Sequence, residues 1–347
     1  MERTMLVSRA GLIRGLAVGA AALPFAARGA APIRAGKFQP DLKGAGVKPW
    51  TSVPVLGASP LRFVVIGDHT GLARPGVFEQ GIRQASWLQP DFILSVGDLI
   101  EGYTQDRAEI ARQWAAVDHA IAATGLPFVH TPGNHDVDNA ETLDAWRERR
   151  GASYYSFTFK GALFIVMNTE DTPTPMTDKQ AKHFYSMVDM MKADPDKAEK
   201  TIADYIKNKA ANHNEYAALD AVNFGDRQIA FLGDTLARNA HVRWTFVVFH
   251  KPAWKMEDKY FPRIRALLKG RNYTVFAGHT HYFTHEVIDG ADYINMGTTG
   301  GIRAHDGPGT MDHVMLVTLG AEGPIFANQR LNGLMDVTGA TGQVRAY

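Results

Sequence analysis

The sequence contains no cysteine, carries a formal net charge of only +1 over 347 residues, and has no apolar run long enough to cross a bilayer. Without thiols it cannot be a disulfide-stapled scaffold, and it is indifferent to the redox poise of a compartment, so no location follows from that absence. Disorder is excluded as well, because a disordered chain combines few apolar residues with high net charge, and here 45% are hydrophobic. Internal repeats and low-complexity tracts are also missing. What is present is the composition of a soluble globular protein, long enough for two domains of roughly 150 residues or one large α/β unit.

The first thirty-one residues differ in texture from the rest. Arg3, Arg9 and Arg14 precede an apolar stretch from Leu16 to Ala26, and small residues follow around Ala26 to Ala31. That order reads as an export signal over residues 1–31 and places the mature protein outside the cytoplasm, periplasmic or secreted. An ordinary N-terminal helix or an uncleaved anchor are the alternatives. The run Ser8 to Arg14 resembles a twin-arginine signal, with Ala10 where the second arginine belongs, so the export route stays open. Removing residues 1–31 takes Lys+Arg from 37 to 33 and Asp+Glu from 36 to 35, leaving about −2. A mildly acidic chain lacks the cationic excess that phosphate neutralisation requires, so no stable nucleic-acid binding is expected. No transmembrane helix is expected after signal removal.

Residues 32–60, rich in Pro and Gly, read as a linker or N-terminal arm. Between 61 and 331, short apolar runs alternate with helical patterns in the order strand, helix, strand, helix, strand. This marks an α/β domain with a parallel, doubly covered sheet. The runs YYSFTF and ALFIVMN read as a hairpin continuing that sheet. Residues 171–226 are charged and helix-favouring and form an inserted helical element whose Phe184, Tyr185, Met187, Met190 and Met191 make a core-facing stripe. Residues 332–347 form a C-terminal tail.

Polar clusters end the strand candidates: Gly67-Asp68 after RFVVI, Gly97-Asp98 after FILSV, Gly133-Asn134-His135-Asp136 after PFVHT, His250 after WTFVVF, and Gly278-His279-Thr280-His281 after YTVFA. In an open α/β sheet the ligand crevice lies outside the carboxyl ends of the strands, so all five can meet at one site. Oxygen and imidazole donors without thiolate suit Mn, Fe, Zn, Co or Ni. A carboxylate bridging two such cations can orient a phosphate, activate water and stabilise an in-line displacement.

These motifs, in this order, resemble the calcineurin-like metallophosphoesterase superfamily, and VGDLIEGY, PGNHD, FHKPAW and FAGHTH resemble its secreted bacterial members. The resemblance covers roughly Leu61 to Leu331, least well in the insert. It implies a two-sheet αββα sandwich that hydrolyses phosphate esters with two divalent metal ions and a metal-bound hydroxide, and a small-molecule phosphate ester is the substrate expected here. It further implies Asp98 as the bridging ligand, Asp68 and His281 on the first metal, and Asn134, His250 and His279 on the second. His135 would sit beside the phosphate as acid catalyst, with Asp136 orienting its imidazole.

One position departs from the pattern. The first motif reads Asp68-His69-Thr70, with Thr70 where a histidine ligand is expected; Glu101, His69 or water would have to complete that site. His119, His130, His183, His213 and His241 read as structural or surface residues, whereas the loop TTGGIRAHDGPG can bring Arg303 or His305 over a substrate. A nuclease or nucleotide phosphodiesterase, and a non-catalytic binding protein with a degenerate first metal site, remain as other functions. Substrate and oligomeric state have no signature in the sequence.

Overall fold

Short runs of β-branched and aromatic residues form the strands, and the charged amphipathic stretches between them form the helices. The computed structural model describes residues 36–42, 46–57, 59–210, 217–256 and 258–333, all within the larger of the chain's two units, Ile33–Tyr347. The export-signal reading of residues 1–31 lies outside the described residues, as does nearly all of the tail. No helix among the described residues is long and apolar enough to cross a membrane.

In chain order, β1 (Gln39–Pro40) precedes β2 (Arg62–Ile66), α1 (Val77–Trp87), β3 (Phe92–Ser95), α2 (Arg107–Ala122), β4 (Phe128–Val129) and α3 (Ala140–Arg150). The hairpin β5 (Tyr155–Phe159) and β6 (Ala162–Val166) follows, then α4 (Asp178–Ala193), α5 (Pro195–Ala210), a 3-10 turn at Ala217–Asp220 and α6 (Gly225–Arg238). The chain continues through β7 (Trp244–Val248), α7 (Phe261–Leu268), β8 (Tyr273–Ala277), β9 (Thr284–Ile288), β10 (Ala291–Asn295), β11 (His313–Leu319) and β12 (Pro324–Arg330). One sheet has the order β12-β11-β2-β3-β4 and the other β1-β5-β6-β7-β8-β10-β9.

The two sheets pack face to face over an apolar core in which Phe63, Phe92, Phe157, Phe164, Phe246 and Phe276 interlock. Phe63 stacks on Phe92 at 5.4 Å and meets Phe164 edge-on at 5.2 Å; such aromatic pairs add about 0.5–1.5 kcal/mol beyond their buried area. A second core joins α1, α2 and α3 to the outer face of the first sheet, and a third joins α6 and α7 to the outer face of the other. The architecture is the two-sheet sandwich flanked by helices that the motifs imply.

Three local expectations need correction. The β5–β6 hairpin does not continue the β2-β3-β4 sheet: β6 pairs in parallel with β7 and so belongs to the second sheet. Each sheet is covered by helices on one face only, its other face being the inter-sheet core. The arm is tied to the domain, since β1 pairs with β5 and Phe38 lies between Trp50 and Phe157. Helix α3 was not anticipated, because AETLDAWRERR has few apolar residues; its signal was the capping box that Asn139 and Thr142 form.

Candidate metal centre

β2, β3 and β4 run parallel in one sheet and β6, β7, β8 and β10 in the other. The loops leaving β2 and β8 touch, because the backbone N–H of His279 donates to both carboxylate oxygens of Asp68 at 3.0 and 3.1 Å. Asp98, His279 and His281 all adopt positive φ, at 54°, 71° and 52°. Such backbone is uncommon outside glycine and clusters where side chains must be aimed. Gly133 permits the third loop to close in, since a Cβ there would lie 2.1 Å from Oδ1 of Asp98.

The side chains fall into two sets. Asp98, His250 and His279 each offer a donor atom within 4.8 Å of the others'. His250 is fully buried; its Nδ1–H donates to the Val96 carbonyl at 2.9 Å, which turns Nε2 toward Asp98 Oδ2, 3.0 Å away. His279 donates from Nε2 to Asp220 at 3.2 Å, leaving Nδ1 as its free donor. Asn134 gives its amide hydrogen to the Tyr103 hydroxyl at 2.8 Å, which fixes the orientation of the amide and leaves Oδ1 free. Oδ1 of Asn134 is buried without a hydrogen-bond partner, a costly condition that a bound cation would relieve, and Nε2 of His250 has only the Asp98 carboxylate facing it. The oxygen and imidazole donor set fits a divalent first-row metal.

Asp68 and His281, the ligands expected for the other cation, lie outside that group of three. His281 donates from Nδ1 to the Ile302 carbonyl at 2.7 Å, again leaving Nε2 free. Thr70 adds a hydroxyl that is buried and unpartnered. Both expected substitutes have other partners. Glu101 accepts the backbone N–H groups of Leu72 and Ala73 with its two carboxylate oxygens, at 3.1 and 2.7 Å. His69 donates from Nδ1 to the Leu99 carbonyl at 2.8 Å and stacks on Phe78 at 4.1 Å.

Burial pushes the Asp68 carboxyl up to about 7; His250 opposes this and Asp98 adds to it. Burial acts the same way on Asp98, but the imidazoles of His250 and His135 outweigh it and hold that carboxyl low. Burial disfavours charge on His250, yet Asp98 and Asp68 raise it to about 9. His279 and His281 are lowered to about 4, chiefly by burial, so near neutral pH both keep the lone pair that coordination needs.

His135 lies beside the cluster, with Nε2 3.9 Å from Asp98 Oδ2 and Nδ1 donating to the Glu101 carbonyl at 2.8 Å. This corrects the role expected of Asp136. Its carboxylate accepts backbone N–H groups from Leu99, Ile100 and Gly133 at 2.9, 3.2 and 2.9 Å, so it clamps two loops together, and the imidazole is oriented by Glu101. The sequence reading missed Tyr103, although it ends the VGDLIEGY segment. It also missed Asp220, which no local pattern distinguishes. Arg303 does not reach the site; it pairs with Glu199 at 2.6 Å. His305 does line the cavity over the cluster.

The sequence profile described as calcineurin-like phosphoesterase matches residues 61–283. The human serine/threonine-protein phosphatase CPPED1 is 33% identical over 141 residues, which is 35% of this chain and 43% of that protein. Its Pongo abelii counterpart is 33% identical over 108 residues, 28% of this chain and 33% of that protein. The matches thus span less than half of these relatives' length. A dimetal phosphatase from Danio rerio superimposes with a TM-score of 0.53 at 14% identity, covering 79% of this chain and 97% of that one. PhoD gives 0.50 at 12% identity, covering 82% and 73%.

Proposed function

The chain belongs to the calcineurin-like phosphoesterase family, and from that premise we propose that this phosphoesterase works with two divalent cations held by the residues above. Asp98 would bridge them. Asn134, His250 and His279 would complete one site, and Asp68 and His281 would contribute to the other. The observation that carries this reading is the convergence of donor atoms from Asp98, His250 and His279 within 4.8 Å of one another, beside the buried Oδ1 of Asn134 that has no hydrogen-bond partner. Bound cations would supply Lewis acidity for the phosphoryl oxygens and for the attacking water.

The remaining steps fall to the chain's own groups. The Glu101 carbonyl holds the imidazole of His135 by Nδ1, which keeps Nε2 beside Asp98, where it would donate a proton to the departing ester oxygen. Tyr103 fixes the amide of Asn134, and Asp220 fixes the ring of His279; such partners orient ligands and hold their tautomers. Export through residues 1–31 belongs to the same proposal; a mature protein from the native cell that retains Met1 or Glu2 would refute it.

The test joins metal analysis to hydrolysis of chromogenic phosphate esters, with chelator and with each metal restored. Asp98→Asn and His250→Ala should lose both metal and turnover while remaining folded. His135→Ala should keep its metal and lose roughly 10²–10⁴-fold in rate. Full activity in either ligand variant, or metal loss in His135→Ala, would overturn the assignment of roles.

A further inference from the structure

The inserted helices form one wall of the site. A cavity of about 430 Å³ opens directly over Asp98, Asn134, His135, His279 and His281, within the size range of small-molecule sites. Met176, Phe184, Met187, Tyr205 and Ile206 line it from the insert, and Met256 faces in from the loop after β7. Among the residues whose side chains the structure describes, none that lines it is a lysine or arginine, and the one carboxylate there besides Asp98 is Asp220.

A site for a nucleotide, a sugar phosphate or a nucleic-acid backbone needs donors or cations for the polar part that leaves water, because unpaired polar groups are costly to bury. The insert side offers chiefly thioether, aromatic and aliphatic surface, and the polar groups of the lining away from the cluster are few: Tyr205, Asp220, Thr280 and His305. Phe184 and Met187 are also packed into a core with Leu72, Tyr103, Ile302 and Ala304, so the apolar surface is a fixed part of the domain. Tyr103 belongs to both regions: it fixes Asn134 and meets Phe184 edge-on at 5.6 Å.

We infer that the substrate is a phosphate ester of a small apolar alcohol, an alkyl chain or a single aromatic ring, whose phosphoryl group lies at the cluster and whose organic group lies against the insert. The inference rests on the phosphoesterase reading and deepens it. In the reaction the oxygen of water bonds to phosphorus as the bond from phosphorus to the alcohol oxygen breaks. That oxygen leaves with a proton, giving the free alcohol and a phosphate one ester bond shorter.

Hexyl phosphate and glycerol 3-phosphate test this, since their alcohols are of comparable acidity and differ chiefly in polarity. The metal-loaded protein should favour the hexyl ester in kcat/KM by about 4-fold for each methylene buried, and so by about 10²-fold or more overall. Ile206→Lys in the insert and Met256→Lys outside it should each reduce that preference at least tenfold. Val287→Lys, at an exposed apolar position on β9, should leave the preference unchanged. Calorimetry with hexylphosphonate should show binding with a negative heat-capacity change, lost in the two cavity variants. Chelator-sensitive hydrolysis of 4-nitrophenyl phosphate without preference for the hexyl ester would overturn the substrate class alone. If hexylphosphonate binds but no ester is turned over, the hydrolase reading falls and takes the substrate assignment with it. A methyl hexyl diester run in parallel separates monoester from diester sources of the same apolar group.

Discussion

Thr70 occupies the one position where the first motif departs from its pattern, and the structure gives that departure a physical form. Its hydroxyl is buried without a partner, while Glu101 and His69 are engaged elsewhere, so the first cation would lack a nitrogen donor. The protein should therefore carry closer to one metal equivalent than two after gel filtration in chelator-free buffer. Thr70→His should raise that number, because imidazole is a much better ligand than an alcohol; an unchanged count by elemental analysis would refute the idea. His313 illustrates a second residue-level effect. It accepts the Gly297 N–H at Nε2, 2.8 Å away, and so supports the loop whose Thr298 hydroxyl donates to the Asp68 carbonyl. Burial lowers its pKa from 6.5 to about 4, against the opposing pull of Asn328 and Asp312. Between those values the unfolded chain binds a proton that the folded chain does not, so this contribution is whole above pH 6.5 and is lost as pH falls toward 4. Relative to His313→Gln, the parent should lose about 1.4 kcal/mol per pH unit across that window in urea melts. Parallel profiles would show that His313 does not titrate there.

Among the elements, the insert is the one whose role depends on how it is held. α4 and α5 bury Met191, Ala198 and Ile202 among themselves and against Leu72 and Ile302 of the site loops. A charged chain then anchors α5: Glu199 pairs with Arg303 and Arg74, and both arginines also reach Asp312. Glu199→Ala removes the insert residue that ion-pairs with both arginines. With the Arg303 end half-exposed and screened by solvent, the loss should be about 1–2 kcal/mol. Amide exchange of α5 should accelerate by about 5–30-fold with the β2-β3 amides unaffected; uniform acceleration would mean that the insert unfolds only with the whole domain. A buried ion pair acts at the other end of the insert, where Lys251, beside His250, holds Glu170 at 2.7 Å and the Ala221 carbonyl at 2.9 Å. The residue after His250 thereby fixes the segment that delivers Asp220 to His279.

For the whole molecule, the proposed metal ligands lie at the seam between the two sheets. Asp68 and Asp98 follow strands of one sheet, and His250 and His279 follow strands of the other, so a cation bound by both sets cross-links the sandwich at its loop end. A ligand present at 100 times its dissociation constant adds about 2.7 kcal/mol to folding stability. Chelation should therefore lower the melting temperature by about 4–5 °C for a domain of this size, and restoring metal should reverse it. A melting curve insensitive to chelator, for protein shown to lose its metal, would mean that the cluster contributes nothing to joining the sheets.

The alternation of strands and helices, the polar residues at the strand ends and the donor chemistry were legible in the sequence, because strand periodicity and motif order are local. The expected ligands Asp98, Asn134, His250 and His279 do converge, since parallel strands of both sheets present their carboxyl ends on the same side. The roles that were misread or missed all depend on groups distant in the chain. Asp136 is adjacent to His135 in sequence, yet its carboxylate reaches Leu99 and Gly133, and the imidazole is instead turned by the Glu101 carbonyl. Asp220 meets His279 across 59 residues of sequence, and of the Met-rich stripe Phe184 and Met187 are both core and cavity wall whereas Met190, expected in the core, is exposed. Helical periodicity shows that a face is apolar; only tertiary packing decides whether that face meets another helix or the site.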